Sequence, residues 1–302
     1  MLHDLHRAGL TEYVARLVRS GAEVADPRHA NAVARDEGTD PLAQSTFFSL
    51  ATDEPQGFDD TQLAQCTALL PYLALAVRAR SSIDIARTVV QTYLGADAGC
   101  RVLTGEIDRH SVQQLHAVIW LCDLRGFSTV AGRVPSEELV ELLNAHLEMM
   151  ARPVIDNGGQ ILKFMGDGFL ATFDLSRADA QEVSLGAVNA AQRVLEAFPA
   201  FRASRRAKGR QTLDFGIALH IGDVLYGNVG TLERLDFTVV GPAVNEASRI
   251  EGLCRPLRRK VLVSSKLHDA AGRCHERMIS VGVHALRSIL EPQELFTIVE
   301  PA

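Results

Sequence analysis

Two carboxylates stand where a strand end and a hairpin tip could serve phosphate chemistry. Asp123 closes the apolar run Ala117-Val-Ile-Trp-Leu-Cys122, and a glycine-containing turn, Leu124-Arg-Gly-Phe-Ser128, follows it. Asp167 stands in the turn Met165-Gly-Asp-Gly168, between the β-rich runs Gln160–Phe164 and Phe169–Phe173. A hydrophobic strand holds a carboxylate rigidly at its exposed end, and a hairpin beside it can bring up a second. Two such acids suit hard cations, because Mg²⁺ takes oxygen ligands and keeps positions for substrate phosphates. Singly, either acid also fits a plain turn role; the pair gains meaning from its surroundings. Farther along, Asn245 and Arg249 lie four apart in a helical stretch, so both can face one ligand, although taken alone such a pair reads as a solvated helix face.

The elements that must position these groups follow from periodicity. Residues Ala117–Asp123 form a strand. Ser136 reads as the N-cap of a helix with Glu137 and Glu138 in its first turn, running to Asn157. Asp-Gly between two β-rich runs signals a hairpin with Asp167 at its tip. Ala178–Ala197 reads as an amphipathic helix, Thr212–Gly230 as a pair of strands, and Ala243–Cys254 as a helix. Lys260–Ser265, Met278–Val283 and Glu294–Val299 close the pattern as strands. The order is mixed, with hairpins, and is not a repeating βα ladder. The expected fold class is α+β, a mostly antiparallel sheet flanked by helices.

Upstream, residues 1 to about 60 are rich in turn formers and charge, with one strand expected at Ser45–Leu50. From Thr61 to Leu94, apolar residues recur every three or four positions, which predicts one long helix or a kinked pair with Pro71 marking a break. Gly95 to Gly99 is expected to end it.

Four blocks in order carry a resemblance: Leu121–Ser128 (LCDLRGFS), Gly158–Phe173 (GGQILKFMGDGFLATF), Gly216–Gly230 (GIALHIGDVLYGNVG) and Asp236–Leu253 (DFTVVGPAVNEASRIEGL). Over about residues 116 to 300 the chain resembles the class III nucleotide cyclases, the family of adenylate and guanylate cyclases, and this implies a ferredoxin-like core. The resemblance implies that Asp123 and Asp167, with Leu124 beside the first, bind two Mg²⁺ or Mn²⁺ ions. It places Lys163 and Thr238 at the base, Asn245 and Arg249 at the ribose and transition state, and Phe127 among the substrate-binding residues. Arg287 stands where relatives carry a basic residue touching the outer phosphates, although Ser288 departs from their following glycine.

The base can also be argued directly. Adenine presents ring-nitrogen acceptors and an amine donor, which a lysine donor and a threonine oxygen match; guanine reverses the pattern. Lys163 with Thr238 therefore resembles the adenylate type and implies ATP as substrate. Thr is the weaker selector, since many relatives carry Asp there, and some GTP use is conceivable. This variant resembles a bacterial subclass of which some members respond to bicarbonate, so a small-molecule or bicarbonate regulator joins the candidate partners. The resemblance further implies a homodimer whose active sites lie between subunits.

Composition narrows the rest. With 31 basic and 37 acidic residues the net charge is -6, which offers no general attraction to nucleic acid or anionic membrane. The longest apolar run, Ala68–Val77, is about half of the roughly 20 residues a spanning helix needs. The five cysteines form no CxxC spacing and read as reduced core thiols of a cytoplasmic protein. The basic run Arg202–Arg210 lacks interleaved aromatics and reads as a solvated loop. The expected organisation is a partial GAF-like or regulatory region over 1–80, a helical dimerising and transducing segment over 81–115, and the catalytic domain over 116–302. A diguanylate cyclase is disfavoured, because Met165-Gly-Asp-Gly-Phe169 lacks the second acid of that family's motif. A guanylate cyclase, or a catalytically silent nucleotide-binding relative, stays open as an alternative.

Overall fold

A computed structural model of the chain describes residues 10, 12–19, 45–106, 108, 112–231, 233–272, 278–287, 289 and 291–299. The chain divides into two compact units, residues 1–89 and 90–302. Among the described residues no helix is long and apolar enough to cross a membrane.

In the first unit, β1 (Glu12–Arg19) pairs antiparallel with β2 (Ser45–Thr52), and α1 (Asp60–Leu94) follows. The strand expected at Ser45 is present and two residues longer. The helix is continuous through Pro71, so of the two alternatives the single long helix holds and the break does not. Leu70 and Ala74, on either side of the proline, are buried with Val18 and packed on by Phe48. That packing holds the turn where one backbone donor is missing.

In the second unit, Gly95 has a positive φ of 85° and does end α1. The next residues do not leave helical structure but start a short second helix, α2 (Ala96–Leu103). Then come β3 (Val112–Arg125), α3 (Phe127–Ala131), α4 (Ser136–Asp156), β4 (Gln160–Met165), β5 (Gly168–Asp174) and α5 (Ala180–Ala207). The chain continues through β6 (Asp214–Gly230), β7 (Leu235–Val240), α6 (Pro242–Cys254), β8 (Val261–Ser264), α7 (Ser265–Ala271), β9 (Met278–His284) and β10 (Gln293–Ile298). The eight-stranded sheet has the order β4-β5-β3-β6-β8-β10-β9, with β7 also on β6. All its pairings are antiparallel except β6 with β8. The mostly antiparallel α+β expectation holds.

Strand β3 explains why its sequence is apolar without a break. Val118, Trp120, Cys122 and Leu124 enter the core beneath α4 and α5. Ala117, Ile119 and Leu121 enter the opposite core, with Ala98 of α2 and Ala243 and Ala247 of α6. A strand covered on both faces loses the polar half of its alternation. By the same alternation Asp123 falls on the α6 face.

Three local expectations need correction. Pro135, and not Ser136, is the residue before α4; it supplies no side-chain cap, and its fixed φ of -57° starts the helix instead. The 17 residues Asp214–Gly230 are one strand, not two. Gly222 there is no turn signal: a Cβ on it would sit 2.7 Å from Cβ of Ala243, so the glycine lets α6 approach the sheet. The basic run is mostly helix, because α5 continues to Ala207, and only Lys208–Arg210 follow it as exposed loop. Arg205 within it is buried, its guanidinium forking onto Glu141 at 2.8 and 3.0 Å while Nε donates to the Gln211 carbonyl. A planar fork with satisfied donors is the form in which a buried arginine is tolerated.

Cys122 and Cys254 are buried, Cys66 is half-buried and Cys100 is exposed. The core-thiol expectation thus holds for two of these four, and Cys274 lies outside the described residues. Burial pushes the Cys122 and Cys254 thiols up, which keeps them unreactive.

Candidate active site

The two acids meet. Met165 pairs with Gly168 across the β4–β5 hairpin, so Gly166 and Asp167 alone form its loop, and Gly166 takes a φ of 64° that suits glycine. The loop is pressed against the end of β3: a Cβ at Gly168 would fall 1.9 Å from the carbonyl oxygen of Cys122. This contact sets Asp167 beside Asp123, near enough for its charge to act on the Asp123 carboxyl. Burial, then the Asp167 charge, pushes Asp123 up to about 7, with Glu251 of α6 adding to the rise. Gly168→Ala is expected to cost about 2 to 3 kcal/mol, typical of overpacking a site that cannot yield. It should also separate the acids; a urea midpoint and an activity assay read both effects.

Sequence reasoning missed Glu251. Its carboxyl is also raised, first by burial, with Arg125 opposing and Asp167 adding. Among the described residues no three His, Cys, Asp or Glu side chains form a ready metal cage. An acceptor-only pair of oxygens that repel each other is nonetheless what one or two Mg²⁺ ions bind when phosphates supply further ligands. The donor set fits such ions. Leu124, the neighbour grouped with Asp123, is buried in the core, so only its backbone is available to a ligand. Phe127 begins α3 and is half-buried against the same core.

A second group forms around α6. Asn245 and Arg249 are exposed and line a cleft of about 710 Å³ with Glu246, Lys266, Arg287 and Gln293. Three cations thus converge on one concavity, as an anionic ligand requires. Lys266, in the first turn of α7, was not foreseen; no spacing ties it to Asn245, because β8 brings it there. Glu246 accepts from Gln293 Nε2 at 3.2 Å. Its carboxylate also lies 3.2 Å from Nε2 of buried His220, too poorly aligned to bond it. Burial pushes His220 down to about 4 in spite of Glu246, so the imidazole below the cleft is neutral at pH 7.

The third group is Lys163 with Thr238. Strand β4 bulges at Leu162, where its register with β5 shifts between Ile161 and Lys163; such a bulge re-aims the next side chain. Lys163 reaches β7 and forms an ion pair with Asp236, two residues before Thr238. The described residues lining the α6 cleft include none of Asp123, Asp167, Lys163 or Thr238. One chain therefore presents the groups apart.

Residues 111–294 match the family model of the adenylate and guanylate cyclase catalytic domain. An adenylate cyclase of Anabaena cylindrica is 35% identical over 150 residues, covering 49% of this chain and 29% of that protein. The chain thus spans less than a third of that relative's length. The crystal structure of the guanylyl cyclase Cya2 is 28% identical with a TM-score of 0.54, covering 63% of this chain and 94% of that one. The adenylyl cyclase CyaB from P. aeruginosa, 24% identical with a TM-score of 0.56 over 64% of this chain and 97% of that one, has the same fold. With its acids, cations and sheet order in place and the family model covering more than half its length, the chain belongs to the adenylate and guanylate cyclase catalytic domain family.

Proposed function

We propose that the chain converts ATP into 3′,5′-cyclic AMP and pyrophosphate, using two sites shared across a two-fold homodimer. The ribose 3′-oxygen attacks the α-phosphorus, the bond to the bridging oxygen breaks, and pyrophosphate leaves. Asp123 and Asp167 would hold two Mg²⁺ or Mn²⁺ ions, which would acidify the 3′-hydroxyl and screen the triphosphate. Arg249 neutralises charge growing on the α-phosphoryl group, a preorganised term that dominates much of phosphoryl transfer. Asn245, four residues before it, orients the ribose, and Arg287 with Lys266 takes the outer phosphates. Lys163 donates to a ring nitrogen of adenine and Thr238 accepts from its amine.

The observation that supports the base choice is that Lys163 reaches β7, where its partner Asp236 lies two residues before Thr238. The shared site is supported by the separation of the acids from the α6 cleft within one chain. Helix α2 fits a transmitting role: Tyr226 donates to Asp97 at 3.0 Å, and Arg101 bonds Asp97 at 3.0 Å and Gln113 at 2.9 Å. Tyr226 lies in β6 opposite Val239, the residue after Thr238. The test is incubation of the purified chain with ATP or GTP and Mn²⁺, with the product identified by mass. Cyclic AMP is expected in excess; predominant cyclic GMP removes the base assignment, and no product favours a silent domain.

A further inference from the structure

Asp236 has no role in the scheme above, yet it is the group bonded to Lys163. A lysine and a threonine alone discriminate poorly. An ammonium donates to adenine nitrogens and to the 6-oxygen of guanine alike, and a hydroxyl both donates and accepts. An ionised carboxylate only accepts, so it favours the amine of adenine and repels the oxygen that guanine carries instead. Residues i and i+2 of a strand share a face, which puts Asp236 and Thr238 on one face of β7. The pair is open to a ligand, with side chains 39% and 54% exposed. Of three ammonium donors Asp236 occupies one and leaves two. So exposed an ion pair adds little to stability.

We propose that Asp236 is a specificity-determining residue of the purine pocket: its carboxylate positions the Lys163 ammonium beside Thr238 and supplies the acceptor-only charge that favours adenine over guanine. This rests on the adenylate reading above. The experiment measures kcat and KM for ATP and for GTP on the full chain with Mn²⁺. The variants are Asp236→Ala, Asp236→Asn, Asp236→Glu, Lys163→Ala and Lys163→Ala with Asp236→Ala.

Asp236→Ala and the near-isosteric Asp236→Asn are expected to lower the ATP-to-GTP ratio of kcat/KM about tenfold, the size of one half-exposed charge-assisted hydrogen bond. The change should sit mainly in KM for ATP, with the melting temperature unmoved and Asp236→Glu restoring most of the ratio. In the Lys163→Ala background, removing Asp236 should lower the ratio less than it does in wild type, because the part of its effect that runs through the lysine is lost with the lysine while the direct acceptor part remains. The wild-type ratio by itself judges the adenine reading. The change from wild type judges Asp236: a fall supports the proposal, and no change, a rise, or equal losses on both nucleotides overturns it, whichever base the wild type prefers.

Discussion

Asp123→Ala and Asp167→Ala are each expected to lower the proposed cyclisation of ATP by about a thousandfold or more, close to 4 kcal/mol of barrier. Either change removes half of the carboxylate pair that the hairpin brings to the end of β3, and among the described residues no third acid completes a cage with it. Steady-state rates with Mn²⁺ check this; activity within tenfold of wild type in either variant removes the metal role.

The same variants separate function from stability. Burial, Asp167 and Glu251 raise Asp123 from an ordinary 3.8 to about 7. Across that window the folded chain keeps a proton that the unfolded chain has released, so stability falls as pH rises from about 4 to 7. Asp123→Asn, inactive, is expected to flatten this loss and to melt higher than wild type at pH 8. Mn²⁺ should raise the melting temperature of wild type, by selective binding to the folded state, and leave that of Asp123→Asn unchanged. Parallel melting curves for wild type and variant between pH 4 and 8 would contradict the account.

Much of this site was legible because each motif is local. An apolar strand ending in Asp123, a Gly-Asp-Gly turn and an Asn-x-x-x-Arg helix can each be read within about ten residues. What escaped depends on how distant segments meet. Lys266 joins the cleft only because β8 lies parallel to β6, and Asp236 meets Lys163 only through the bulge at Leu162. The single strand Asp214–Gly230 reads as two, because a glycine such as Gly222 that admits an approaching helix and one that bends the chain look alike in sequence. Arg205 was misread for a similar reason: its burial depends on Glu141, 64 residues away.

Mixing two impaired chains, Asp123→Ala and Arg249→Ala, is expected to restore about a quarter of wild-type activity. In a shared-site homodimer each site takes its acids from one subunit and its α6 cleft from the other. Random exchange at equal concentrations makes half of the dimers mixed. In a mixed dimer one site collects both lesions and the other neither, so one site in four works overall. Alone, Asp123→Ala falls about a thousandfold, and Arg249→Ala about a hundred- to a thousandfold, the cost of one preorganised charge at a transition state. The mixture therefore rises at least about 25-fold above either parent, a margin that contamination does not reach. Activity should follow the product of the two mole fractions and peak at equal amounts. A mixture no more active than the average of its parents, under conditions where differently tagged wild-type subunits exchange, means that each chain completes its own site.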